Sequence, residues 1–252
     1  MTGEWACRLF PHETAGGAAN MALDEALLDL VTADPSSAAL RTYGWSEPTL
    51  SLGYFQTVAE AESDPRWRGV PLVRRPTGGG AIWHDREITY ALAVPHGHPL
   101  ARASGDLYRA VHSAIAGALN EFHAGARRRG GDGRVVGASR RPFLCFTDRD
   151  PEDVVVDGSK VVGSAQRRRA GAVLQHGSVL LSRSPRTAEL PGASDLAAVP
   201  VALETWSGLI VRRVPAALGF VGLVERWPDS VLARAGVIER SVYLDPAWTR
   251  RR

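Results

Sequence analysis

VVVDGSKVV, Val154 to Val162, is the stretch on which the fold class turns. Runs of β-branched residues flank Asp157-Gly158. A two-residue type I′ hairpin turn needs positive φ at both central positions, and Asp-Gly tolerates that well. The stretch therefore predicts a β-hairpin. Side chains alternate along a strand, so Lys160, Val162, Ser164 and Gln166 are expected on one face of its second strand. Residues 173–181 read as the next strand, interrupted at His176-Gly177. Upstream, 39–43, 49–52, 72–75 and 88–94 are further short runs of strand character.

Fewer helices stand against these strands. Leu23, Leu27 and Leu30 fall at i, i+4 and i+7, predicting an amphipathic helix over 20–31. Leu107, Val111, Ile115 and Leu119 mark a second helix that fades at His123. The tail from about 200 reads as mixed and helical in part. There is no internal repeat and no clear boundary. The expected architecture is α+β: one domain over 1–252, built on a mixed, largely antiparallel sheet flanked by helices.

The 252 residues are 44% apolar and 23% charged, enough apolar content for a sizeable core. No apolar run reaches the length of a membrane span, and the N-terminus lacks a basic patch followed by an apolar stretch. The expected location is the cytoplasm. A net charge of +3 is too mild to argue for nucleic acid, and no aromatic residues interleave the arginines of 127–129 and 167–169. Two cysteines make neither a disulfide framework nor a zinc site. The positive charge is built unevenly. Of 30 Lys plus Arg only Lys160 is lysine, leaving 30 − 1 = 29 arginines. A lone lysine in such a chain points to work that a guanidinium cannot do, or to chance; composition weighs the two equally.

Three segments bear chemistry. In RRPTGGGAIWHD, residues 74–85, three glycines let the backbone approach a ligand and two arginines can pair with an anion. The segment is neither a P-loop nor a dinucleotide fingerprint, and alone it reads equally as a glycine turn. In the strand of Lys160, Gly163 and Ser164 leave space above the chain. Cys145 in PFLCF and Cys7 in EWACRLF each read, by themselves, as core thiols. His96 and His98 in PHGHP have metal-binding spacing but read as exposed loop residues, and no metal is expected. The Gly- and Arg-rich stretch 123–142 reads as a flexible loop, either a solvated linker or, through its six arginines between 127 and 141, a landing strip for an acidic partner.

The segments NMALDEALL (20–28), LRTYGWSEPTLSLGYFQ (40–56), RRPTGGGAIWHD, ITYAL (88–92), DGSKVVGSAQRR (157–168), LQHGSVLL (174–181) and VYLDPAWTRRR (242–252), taken in order, resemble one catalytic domain. It is shared by lipoate–protein ligases, octanoyltransferases and, more remotely, biotin ligases. The resemblance covers roughly 18–250, and the biotin branch fits less well because its own glycine–arginine signature is missing. One octanoyltransferase type carries a cysteine in a CF dipeptide shortly before the DG-x-K strand, as Cys145-Phe146 stands here.

The resemblance implies Cys145 as nucleophile and Lys160 as the family's essential lysine beside the reactive carbonyl. It implies that Arg75 and the stretch Gly78, Gly79, Gly80, Ala81, Ile82, Trp83 and His84 line the acyl pocket. Gly163 and Ser164 would border it from the lysine strand. His84 would be a pocket or structural residue, and His176, in the HGS turn, would hold the strand. The implied reaction moves octanoyl from acyl carrier protein, through a cysteine thioester, to a lysine of a lipoyl domain of the glycine-cleavage H protein or a dehydrogenase E2. No cofactor is implied; ATP and Mg enter only if the chain is a lipoate–protein ligase, the alternative that a third glycine at Gly80 favours, where such transferases often have arginine. The absence of a C-terminal accessory domain leans towards the transferase. A non-catalytic scaffold for lipoyl domains or acyl ligands is the non-enzyme alternative; it needs neither Cys145 nor Lys160.

Overall fold

The computed structural model describes residues 5–131, 142–169 and 171–251. In chain order come strands β1 (Trp5–Leu9) and β2 (Glu13–Ala15), helix α1 (Gly17–Ala33), strands β3 (Ser37–Trp45) and β4 (Thr49–Leu52), helix α2 (Val58–Ser63), and strands β5 (Leu72–Arg74), β6 (Ile82–His84) and β7 (Glu87–Pro95). Helix α3 (Ser104–Asn120) leads to strands β8 (Arg127–Arg128), β9 (Val154–Val156), β10 (Ser159–Arg169) and β11 (Ala172–Leu180). Helices α4 (Ala193–Leu196) and α5 (Leu203–Ala217), strand β12 (Phe220–Val224), and helices α6 (Asp229–Ile238) and α7 (Pro246–Thr249) complete the chain.

The main sheet runs β12-β1-β3-β7-β11-β10-β9-β8, with β2 also paired to β3. Pairing is antiparallel from β3 to β8 and parallel at the β12-β1-β3 edge. This is the mixed α+β sheet the sequence predicts. A second sheet, β5-β4-β6, was not foreseen as separate. Strands β7 and β11 are buried along their whole length, so both faces need cover. Ile88, Tyr90, Leu92 and Val94 pack with Leu107, Val111 and Ile115 of α3 and Trp206 and Ile210 of α5. On the other face Ala39, Ala91 and Ala93 meet Met21, Leu27 and Leu28 of α1 and Val231 of α6. Small alanines on the sheet let α1 lie close, and Leu27 and Leu28 are fully buried, each contributing roughly 1.5–3 kcal/mol.

The hairpin turn forms as predicted, with φ of 45° at Asp157 and 74° at Gly158. Several expectations are corrected. The β11 strand is not interrupted at His176-Gly177; a Cβ at Gly177 would meet the Gly163 carbonyl oxygen at 2.6 Å, so the glycine serves close strand approach, not a turn. The alternation along β10 breaks at Val161: Lys160 pairs with Val155, but Val162 already pairs with Val154. The extra residue makes a β-bulge that puts Lys160 and Val162 on opposite faces. His98 is not exposed: it is buried, stacks on Phe220 at 4.6 Å and accepts from Leu100 N at the start of a short 3-10 turn. Within 123–142, Arg127–Arg128 forms an edge strand on β9; 132–141, with Arg134, Arg140 and Arg141, lies outside the described residues. Among the described residues no His/Cys/Asp/Glu group suits a metal ion, and no helix is long and apolar enough to cross a membrane.

Candidate active site

Cys145 opens a short 3-10 turn, Cys145–Thr147, held against the glycine-rich segment by the backbone. Ala81 N donates to Phe143 O at 2.7 Å, and Cys145 N donates to Ala81 O at 2.8 Å. A Cβ on Gly80 would lie 2.8 Å from Cys145 N and 2.9 Å from Phe143 O. Glycine at 80 therefore has a steric cause: the backbone bearing Cys145 passes directly over it.

Lys160 reaches the same turn from β10. Its Nζ donates to Asp153 Oδ1 at 2.8 Å and to Cys145 O at 3.0 Å, and lies 3.8 Å from Cys145 Sγ. The ammonium also sits 5.5 Å from the Phe146 ring centre. Burial alone would lower the pKa of Lys160, but the negative charge of Cys145 and Asp153 together outweighs it and holds the pKa above the ordinary lysine value. Lys160 is thus a fixed cation beside the thiol. A Cβ on Gly163 would come within 2.8 Å of Lys160 Cε, so that glycine makes room for the lysine stem. Ser164 does not share this face. Its hydroxyl pairs with Tyr90 OH at 2.6 Å and with His112 Nε2, on the α3 side of the sheet, the consequence of the bulge at Val161.

A narrow apolar cavity lies between the two sheets and α1, with Met21, Tyr43, Trp45, Ile82, His84, Gly163, Ser178 and Cys145 among its lining. Alternation in β6 turns Ile82 and His84 towards it. Ala81 and Trp83 face away into the cluster of Leu50, Trp67 and Leu144, and Trp83 Nε1 donates to Ser184 Oγ at 3.1 Å. The expectation that Ala81 and Trp83 line the acyl pocket is corrected for that reason. Arg75 is buried and pins the glycine loop: its Nη2 donates to Gly78 O at 2.8 Å and Gly80 O at 2.6 Å, and its Nη1 to Ser51 O at 3.0 Å. Burial pushes its pKa down while the charge of nearby Cys145 opposes that.

Two histidines border the cavity in supporting roles. His84 pairs with Ser51 Oγ at 2.8 Å and Glu87 Oε1 at 2.9 Å, stacks on Trp45, and burial lowers its pKa. His176 links Asp24 Oδ2, at 2.8 Å, to Thr77 Oγ1, at 2.6 Å, and so ties the glycine loop to α1. Asp24 also accepts from Arg41 Nη2 at 2.6 Å and from Tyr43 OH at 2.9 Å. The sequence reading missed Asp153, Asp24 and Arg41. Asp24 left a signal, a carboxylate one turn after Asn20 within an apolar helix; Asp153 left none.

Outside the cavity lies a polar cleft lined by Gly80, Tyr108, Asp148, Asp150, Asp153, Lys160 and Gln166. Cys145 borders both spaces. A thiol beside a buried ammonium, with an apolar slot on one side and a polar opening on the other, can carry an acyl chain as a thioester and present its carbonyl to a polar nucleophile.

A family model of the lipoyl protein ligase A/B catalytic domain matches residues 17–190. Among curated proteins, the octanoyltransferase LipM of Kyrpidia tusciae is 41% identical over 183 residues, 69% of this chain and 66% of that protein. LipM of Geobacillus kaustophilus is 40% identical over 171 residues, 64% of this chain and 60% of that protein. The chain thus spans 66% or less of the length of these two relatives. Among solved structures, a lipoate-protein ligase A bound with ATP superposes with a TM-score of 0.78 at 21% identity, covering 97% of this chain and 98% of that one. The bipartite lipoate protein ligase of Thermoplasma acidophilum, described with its E2 lipoyl domain, gives 0.73 at 21%, covering 98% and 96%. These structural likenesses establish the fold.

Proposed function

Since this chain belongs to the lipoyl protein ligase A/B catalytic-domain family, we propose that it is an octanoyltransferase of lipoate assembly. Octanoyl passes from acyl carrier protein to Cys145, and from Cys145 to a lysine of a lipoyl domain. The observation that carries this reading is the Lys160 ammonium 3.8 Å from Cys145 Sγ, where the apolar cavity meets the polar cleft. The ammonium can offset negative charge on the sulfur as it attacks and again as it leaves. The thiolate attacks the donor's thioester carbonyl, the new S–C bond forms, and the donor sulfur leaves with its electron pair and takes up the proton that Cys145 gave up. The acceptor's neutral amine then attacks the acyl-cysteine; nitrogen loses a proton, and the Cys145 sulfur leaves and regains one.

One thioester replaces another in the first step, so it needs no ATP. The names of the curated relatives support the same reaction. The third glycine of the loop, the feature that leans towards a ligase, carries less weight once its steric cause is known: a side chain at Gly80 would strike Cys145 N. The arginines of 127–129 support docking of an acidic carrier, although Arg128 is already paired with Glu152 at 2.8 Å.

The reaction is tested by mixing the protein with octanoyl-acyl carrier protein and an isolated lipoyl domain without ATP. The expected product is one octanoyl-lysine per lipoyl domain. Product that appears only with free octanoate and ATP assigns the chain to the ligase branch.

A further inference from the structure

Five hydroxyl-bearing residues border the inner cavity: Tyr43, Ser51, Thr89, Ser178, and Ser164, whose hydroxyl turns away towards α3. Four are engaged. Tyr43 donates to Asp24, Ser51 pairs with His84, Thr89 donates to Glu87, and Ser164 pairs with Tyr90. Ser178 is 1% exposed, and its Oγ has no hydrogen-bond partner among the described residues. Buried polar groups are normally satisfied, so an unsatisfied one in a cavity wall marks a place that a ligand completes.

The sheet register tells which part of the ligand. Ser178 on β11 is the direct cross-strand partner of Gly163 on β10. Directly paired residues hold their Cβ positions about 4.5–5.5 Å apart on one face. The Cβ position of Gly163 is in turn 3.2 Å from Lys160 Nζ, which lies 3.8 Å from Cys145 Sγ. Ser178 therefore sits on the strand next to that of Lys160, across from the glycine under the lysine stem, in the wall that Cys145 also borders. A saturated acyl chain offers a single hydrogen-bond acceptor, its carbonyl oxygen. A free donor in this wall has only that atom to meet.

We propose that Ser178 is a further catalytic residue, whose hydroxyl donates a hydrogen bond to the acyl carbonyl oxygen at Cys145. As the Sγ–C bond forms, the carbonyl π pair moves to oxygen, and the hydroxyl holds the oxyanion. When the pair returns, the donor's C–S bond breaks and the donor leaves as the thiol. The inference rests on the acyl-transfer reading above and deepens it.

The test compares wild type, Ser178→Ala and Ser178→Thr by rapid-quench intact mass spectrometry with octanoyl-acyl carrier protein, alongside their Tm. Loss of one oxyanion donor slows such chemistry by roughly 10²-fold. Ser178→Ala should show a slowing of that order at saturating donor, with an unchanged half-saturating concentration and a Tm no lower than wild type, because no bond is lost on folding. Ser178→Thr should recover part of the rate. An alanine variant acylated within about threefold of wild type overturns the inference alone. So does an alanine variant whose loss of rate comes with a lowered Tm, which marks a structural hydroxyl. A wild-type protein that takes no acyl group overturns the inference together with the reading it rests on.

Discussion

Lys160 satisfies three acceptors at once, the Asp153 carboxylate, the Cys145 carbonyl and the Cys145 sulfur. Its being the single lysine among 29 arginines was legible in composition. Its partner Asp153 was not, because a carboxylate ahead of a strand has no distinguishing pattern until the strand is folded. Both side chains are 5% exposed, so each depends on the other for charge balance. Lys160→Ala should abolish acyl transfer and leave Asp153 buried and unpaired, at a stability cost of about 3–5 kcal/mol. Lys160→Arg should retain most of the stability and little activity, since a planar guanidinium pairs with Asp153 but cannot occupy the ammonium's position against sulfur. Urea denaturation and an acylation assay on the two variants separate these effects. Equal activity in the arginine variant would refute the role given to the compact ammonium.

At the scale of the element, the β9–β10 hairpin was legible down to the positive φ of its turn residues. The bulge at Val161 was not. A run of β-branched residues gives no sign of where one residue drops out of pairing, and that single irregularity sends Lys160 to Cys145 and Ser164 to α3. In the same way His176 read as part of a turn because glycine followed it, whereas Gly177 is required by a neighbouring strand.

The contact between β10 and α3 has a consequence for pH. His112 of α3 lies buried between the Glu152 carbonyl and Ser164 Oγ, and burial pushes its pKa down to about 4. The unfolded chain takes up this proton near pH 6.5, while the folded state refuses it until about 4. Between those values the unfolded state binds more protons, so the stability present above 6.5 is lost as pH falls towards 4. The shift corresponds to a loss of order 3 kcal/mol. His84, lowered by burial as well, acts in the same direction. Denaturation midpoints recorded from pH 7 to pH 4 should fall, and His112→Gln should flatten the profile. A wild-type midpoint constant over that range would contradict the assignment.

For the whole molecule, the order of motifs along the chain carried more information than any one of them. Segments that are ambiguous alone converge in space. The glycine loop, the Cys145 turn and the Lys160 strand meet at one cavity mouth, and α7 locks the loop's flank through Arg74, whose guanidinium bonds Thr249 O and Gln56 O. What the sequence could not give is the second sheet, because β4, β5 and β6 are too short to announce which sheet they join. That sheet supplies one wall of the cavity, so the site's depth and the orientation of Trp83 were beyond reach without it.

The central claim is that Cys145 carries the acyl group. The protein is incubated with octanoyl-acyl carrier protein in the absence of ATP, and its intact mass is measured before and after hydroxylamine. The account predicts one added octanoyl group that hydroxylamine removes and that Cys145→Ala never acquires. An unmodified wild-type protein, or an adduct that persists in Cys145→Ala, would contradict it.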